Sequence, residues 1–304
     1  MQLKIVFHLT VAVLTSFYIA GLRAQVTEQS SQNNSSIGFA TATIKDQRMV
    51  DQNIFYAYSG DPDKPGLLFI HGTPGDWAAF ETYLASPSLQ EEYFMISVDR
   101  LGWGKSVITK ANIKPLRKPN KDLEDQPQNK KIAGDFELQA RSIASVMAQY
   151  PNKNWLLVGH SLGASIAPKV AIIEPTRVSA LLLLAGSLSP KLGKPRWYNR
   201  IASTIFAKWI LPNNLDYSND EIMSLRKELE VLDEQIKSSQ LNIQVVVIQG
   251  LKDRLVSPKN ADYAKQNWQQ HFVDLKTIEL PEDGHFIPWK QSQLVVQTIR
   301  QFNH

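Results

Sequence analysis

The segment Gly159-His160-Ser161-Leu162-Gly163 sets a serine between two glycines, directly after the apolar run Trp155–Val158 and before a helical pattern that begins at Ala164. So tight a passage from strand to helix needs residues without side chains on both flanks. It pushes the serine hydroxyl out at the carboxyl end of the strand. The chain contains no cysteine, so thiol nucleophiles, disulfides and Cys-ligated metals are excluded together, and nucleophilic chemistry must use oxygen or nitrogen. A serine hydroxyl is a poor nucleophile at neutral pH and needs a neighbouring base.

Four further segments sit where chemistry would need them. His71-Gly72-Thr73-Pro74-Gly75 follows the apolar run Leu67–Ile70. Asp99-Arg100-Leu101-Gly102-Trp103-Gly104-Lys105-Ser106 follows Phe94–Val98. Gly250-Leu251-Lys252-Asp253 and Asp283-Gly284-His285-Phe286 follow the last two apolar runs. With the Gly-x-Ser-x-Gly turn, these motifs resemble those of the α/β-hydrolase superfamily, and the resemblance covers most of the chain. It implies an α/β fold, a mostly parallel sheet of eight-stranded type flanked by helices with a small helical cap. It also implies the order nucleophile Ser161, acid Asp253 and base His285.

On that reading His285 takes the Ser161 proton as attack begins and returns it to the leaving group. Asp253 holds the other ring nitrogen and fixes the tautomer. The oxyanion hole falls to the backbone N–H of Leu162 and to one from the His71 loop. Pro74 has no N–H, which leaves Thr73. Asp233 and Asp216 stand as alternative acids. His285 has few rivals, because His8 lies in the N-terminal apolar segment, His304 is terminal, His160 adjoins the serine and His271 precedes the last strand. His71 is expected to brace its own loop, and Asp99, Arg100 and Trp103 to be structural.

The elements that must position these residues alternate along the chain. Continuous apolar runs at Leu67–Ile70, Phe94–Val98, Trp155–Val158, Leu181–Ala185, Val245–Ile248 and Thr277–Leu280 suit strands buried on both faces. Ile54, Tyr56 and Tyr58 alternate with polar neighbours, as in a half-exposed strand. Phe136, Ala140, Ile143, Ala144 and Met147 recur at helical spacing, and Pro168 falls inside the helix expected after Ser161. The core is read as 37–186 and 241–304.

Residues 187–240 form an expected helical cap. Pro195 is placed to start one helix, with Trp197, Tyr198, Ile201, Ile205, Phe206, Trp209 and Ile210 on one face, closed by Pro212. That helix is also basic, which suits contact with a membrane surface, although packing over the cleft is the simpler reading. Ser218 and Glu221 have capping-box spacing for a second helix with the stripe Ile222, Leu225, Leu229, Leu232 and Ile236. Glu228, Glu230 and Glu234 read as its solvated face. Residues 107–134, rich in charges of both signs, read as a surface insertion.

Residues 1–24 have the positive start, apolar middle and small-residue end of a cleavable export signal, followed by a polar spacer at 25–36. The apolar stretch is shorter than the roughly 20 residues of a spanning helix, which favours a signal over a retained anchor. The expectation is an exported protein, periplasmic or secreted. Losing Lys4 and Arg23 takes the net charge from +4 to +2, so overall basicity does not argue for a nucleic-acid partner.

No metal or organic cofactor is implied. The partner expected is a small-molecule acyl substrate, cleaved as a carboxylic ester through an acyl-enzyme. An aminopeptidase or amidase of the same fold, or a ligand receptor with little turnover, are the competing readings.

Overall fold

The computed structural model describes residues 37–45, 51–108, 134–193 and 213–302. The export signal, the spacer, most of the charged insertion and the basic cap helix lie outside the described residues. Among the described residues eight strands form one sheet: β1 (Gly38–Ile44), β2 (Gln52–Ser59), β3 (Gly66–Ile70), β4 (Phe94–Val98), β5 (Trp155–His160), β6 (Val178–Leu184), β7 (Leu241–Gly250) and β8 (Phe272–Leu280). Their order is β1-β2-β4-β3-β5-β6-β7-β8. The pairs β1–β2 and β2–β4 are antiparallel, and all others are parallel.

The central strands β3, β4 and β5 are buried at every residue. Alternation then divides them between two cores. Leu68, Ile70, Ile96 and Leu157 face one side, where α3 (Phe136–Met147), α4 (Leu162–Ile173) and α5 (Asn213–Ser238) pack. Leu67, Phe69, Met95, Leu156 and Val158 face the other, covered by α1 (Glu81–Leu84), α2 (Pro87–Glu92) and, later in the chain, α8 (Ser292–Ile299). The remaining described helices are α6 (Lys259–Asn267) and α7 (Ile287–Lys290).

The chain steps from β3 outward to β4 and then returns across β3 to β5, so the direction of winding reverses between β3 and β5. In open α/β sheets the crevice beyond the carboxyl ends at such a reversal is where ligands bind. The His71 loop leaves β3 there, and Ser161 leaves β5 there.

Three expectations require correction. β2 is buried at most positions, not half-exposed, because it lies between β1 and β4 with side chains in both cores, Ile54 and Tyr56 on one face and Ala57 on the other. β8 begins at Phe272, earlier than its apolar run at Thr277 suggests: it is an edge strand with mixed burial, so its side chains do not form a continuous apolar stretch. Helix α5 begins at Asn213, so Ser218 and Glu221 lie inside it and are no capping box. Pro168 is accommodated within α4, which runs unbroken from Leu162 to Ile173.

Candidate active site

Ser161 follows β5 with φ 55° and ψ −118°, a conformation that L-residues rarely adopt and that costs of order 1–3 kcal/mol. Close backbone approaches hold it there. A Cβ on Gly163 would lie 2.1 Å from the Ile70 carbonyl oxygen, one on Gly159 would lie 2.5 Å from the Gly163 oxygen, and one on Gly72 would lie 2.9 Å from Ser161 Cβ. The flanking glycines therefore let β3, β5 and α4 meet around the serine. Leu162 is the first residue of α4, so its N–H belongs to the turn that has no partner within the helix.

The acid and base loops are stitched together beside it. Leu251 N–H donates to Leu280 O and Lys252 N–H to Asp283 O. Gly250 is required because a Cβ there would come 2.3 Å from Gly284 O. This pairing sets His285 Nδ1 2.8 Å from Asp253 Oδ2, with both side chains buried. Asp253 Oδ1 accepts from Leu255 N–H at 2.8 Å and Val256 N–H at 2.9 Å, and Gln249 Nε2 donates to Oδ2 at 3.3 Å. Burial alone would raise the Asp253 pKa. The hydrogen bond and charge of His285, helped by the two backbone N–H groups, outweigh it and hold the carboxyl below its ordinary range.

His160, next to the serine, packs its ring 4.8 Å from that of His285 and donates Nε2–H to the His285 carbonyl at 2.9 Å. Burial, reinforced by His285, pushes its pKa down to about 3, so this imidazole is neutral. Nucleophile, base and acid candidates thus share one end of the sheet. No hydrogen bond joins Ser161 Oγ to His285 among the described residues; such contacts in unliganded sites commonly tighten only with substrate.

The His71 loop is braced from behind. Arg100 N–H donates to His71 Nε2 at 3.1 Å, which leaves the imidazole proton on Nδ1, and Nδ1–H donates to Gly72 O at 2.7 Å. Burial first, and Arg100 second, hold the His71 pKa well below its ordinary value. Arg100, fully buried, donates to His71 O at 2.9 Å and Gly72 O at 2.8 Å and pairs with Glu221 of α5 at 2.7 Å. Thr73 Oγ1 donates to Ser218 Oγ at 2.9 Å. Its backbone N–H has no partner among the described residues, as an oxyanion donor in waiting requires. Asp99 is structural, accepting from Trp77 N–H and Lys105 N–H at 2.7 Å each.

The rival acid whose side chain is described is engaged elsewhere. Asp233 accepts from Tyr263, Trp268 and Lys237; the Asp216 side chain lies outside the described ones. Of the cap acids, Glu230 pairs with Arg226 on the surface and Glu234 is exposed. Glu228 is buried, contrary to the expected solvated face, because it accepts from Phe136 N–H at the start of α3. Two residues near the site carried no functional reading in the sequence. Gln249 is a polar end to an apolar strand, and Glu221 has the spacing of a cap. Among the described residues no group of three His, Asp or Glu side chains is arranged to hold a metal ion.

Comparison with known proteins agrees with this architecture. A family profile for the alpha/beta hydrolase fold matches residues 65–212. A 1-acylglycerol-3-phosphate O-acyltransferase of Arabidopsis thaliana is 24% identical over 185 residues, 60% of this chain. The match spans 39% of that plant protein's length, about two fifths.

Two solved structures share the fold at low identity. An epoxide hydrolase from metagenomes of hot environments superimposes with a TM-score of 0.61 at 15% identity, covering 88% of this chain and 98% of that one. The Bacillus subtilis carboxylesterase CesB does so with a TM-score of 0.55 at 16% identity, covering 93% and 97%. With its strained serine between β5 and α4, its His71 loop beyond β3 and its sheet order, the chain has the α/β-hydrolase fold, whose family profile its residues 65–212 match.

Proposed function

We propose that the protein is a serine hydrolase that cleaves a carboxylic ester through an acyl-enzyme intermediate. Ser161 Oγ attacks the acyl carbon while His285 Nε2 takes its proton, and the leaving alcohol departs with that proton. Water then attacks the acyl-enzyme with His285 again as base. Asp253 keeps the His285 proton on Nδ1 and stabilises the imidazolium. The N–H groups of Leu162 and Thr73 receive the oxyanion. The observation that carries this reading is the convergence, at the β3–β5 reversal, of a strained serine with a buried His285–Asp253 pair at 2.8 Å.

A serine here argues against the carboxylate-nucleophile chemistry of epoxide opening. The burial of Glu228 removes one acid that could have met a substrate amine, which weakens the aminopeptidase alternative. The likeness to an acyltransferase supports a second reading, in which the same acyl-enzyme is passed to an alcohol instead of water. We also propose that the protein acts after export, on the character of residues 1–24.

A panel of nitrophenyl esters of increasing acyl length, run beside aminoacyl arylamides and with glycerol as a competing acceptor, tests all of these together. Ester turnover that disappears in Ser161→Ala, with fluorophosphonate labelling of Ser161, is expected. Unchanged turnover in Ser161→Ala sinks the proposal.

A further inference from the structure

Thr73 N–H can stabilise an oxyanion only if its peptide plane is held with that N–H toward the nucleophile, and the residues holding the plane are visible. The Gly72 carbonyl and the Thr73 N–H belong to one trans peptide unit and point in opposite directions. Gly72 O accepts from Arg100 Nη2 at 2.8 Å and from His71 Nδ1 at 2.7 Å. Two donors on one carbonyl fix the plane and turn Thr73 N–H away from them. They also polarise the peptide, which strengthens its N–H as a donor. Gly72 itself lies against Ser161, so the fixed plane borders the reacting centre.

Arg100 is in turn fixed from the cap. Its guanidinium is fully buried and meets both oxygens of Glu221, at 2.7 Å from Nη1 and 3.2 Å from Nη2. Glu221 also accepts from Trp103 Nε1 at 3.2 Å, and Ser218, one turn earlier on α5, accepts from Thr73 Oγ1. A buried ion pair gives little net stability over apolar packing, because desolvation consumes most of its attraction. Its value here is geometric: a planar, two-pronged contact that leaves Arg100 one orientation.

We propose that Glu221 is a positioning residue for the oxyanion hole, acting through Arg100 and the Gly72–Thr73 peptide, so that the placement of cap helix α5 sets how well the hole is formed. The proposal rests on the serine-hydrolase reading above. A substrate that seats or displaces α5 would thereby alter the acyl-transfer rate without touching Ser161.

The test uses nitrophenyl butyrate as substrate and an alkyl trifluoromethyl ketone as inhibitor, since the ketone forms an anionic tetrahedral adduct whose oxygen needs the hole. Glu221→Gln keeps an acceptor for Trp103 and removes the charge. It is expected to lower kcat about 10- to 100-fold, the range for a misplaced donor, with KM within about threefold and ketone affinity falling in step with kcat/KM. Because an unpaired Arg100 can unfold the protein, the double variant Arg100→Met/Glu221→Leu, with both charges removed, is measured beside it. It is expected to melt near the wild type and to show the same loss confined to kcat.

Wild-type kcat in a folded Glu221→Gln or in the double variant overturns the proposal, and so does a loss confined to KM. A wild-type protein without Ser161-dependent turnover instead overturns the hydrolase reading, and this inference falls with it.

Discussion

Gln249 donates to the same carboxylate oxygen of Asp253 that His285 reaches: Nε2 lies 3.3 Å from Oδ2, while His285 Nδ1 lies 2.8 Å from it. The amide orientation is settled by its surroundings, since Gly250 O, the other neighbour of Nε2 at 3.2 Å, is also an acceptor. The Gln249 carbonyl oxygen is left buried without a partner. An unsatisfied buried acceptor costs about 1–3 kcal/mol, which offsets most of what the neutral bond to Gly250 O and the long bond to the Asp253 carboxylate return, so this glutamine contributes little net stability. Gln249→Met is therefore expected to change the unfolding free energy by less than about 1 kcal/mol. It should lower kcat several-fold, because the acid loses one of its four donors. Urea unfolding and ester kinetics on one preparation check both halves, and a large loss of stability with unchanged kcat contradicts the assignment.

Asp253→Asn tests the acid more severely. Its Oδ1 already accepts from Leu255 and Val256 N–H, so an asparagine there would turn its oxygen to those donors and its NH2 to His285. An NH2 cannot accept from Nδ1–H, and the imidazole would move its proton to Nε2, the nitrogen that must receive the Ser161 proton. A fall in kcat of about 10⁴, with the protein folded, is the expected result of the wrong tautomer. Stopped-assay rates with nitrophenyl butyrate measure it, and a loss below tenfold would point to another acid.

The legible parts of the fold were those where a local pattern has a single physical cause. Strands β3, β4 and β5 are apolar at nearly every position because they are buried on both faces, and the glycines around Ser161 are required by backbone contacts under 3 Å. Edge strands were harder. β8 exposes many of its residues and β1 alternates, so neither shows a continuous run. Glu221 was misread because capping-box spacing is local, while its partner Arg100 is 121 residues away. Gln249 was overlooked for a different reason: its partner Asp253 is only four residues on, but across a strand end and the following turn such a spacing carries no periodic signal.

Two glycines near the site should respond differently to alanine. At Gly163 a new Cβ would meet Ile70 O at 2.1 Å and His71 O at 2.7 Å, backbone atoms at the end of β3 and the start of the loop that follows it. Neither can move without shifting β3, so Gly163→Ala is expected to cost about 3 kcal/mol, roughly 6 °C or more in Tm. At Gly284 the nearest atom would be Lys252 O at 3.5 Å, ordinary contact. Gly284→Ala should melt within about 2 °C of the wild type, a change of under 1 kcal/mol. Thermal unfolding of the pair measures the contrast, and equal Tm values would contradict the packing described for the Ser161 turn.

His160 and His71 make stability depend on pH in a direction set by their burial. Burial and the neighbouring His285 hold His160 at about 3, and burial with Arg100 holds His71 well below its ordinary value, so both are neutral in the folded protein. In the unfolded chain both titrate near 6.5. As the pH falls below about 6.5 the unfolded state binds protons that the folded state refuses, and stability drops. Each histidine contributes a slope of about 1.4 kcal/mol per pH unit once its unfolded form is fully protonated, and the two together about 3 kcal/mol. For His160 the loss continues down to about pH 3. Asp253, held below its ordinary range, adds to the fall from about pH 5 downward, where its unfolded form begins to protonate. His160→Gln keeps an N–H for the His285 carbonyl but cannot titrate, so urea unfolding between pH 7 and 4.5 should give it a shallower slope than the wild type, the difference growing to about 1.4 kcal/mol per pH unit below about pH 5.5. Parallel pH profiles for the two proteins would mean that His160 is not the neutral, buried group described.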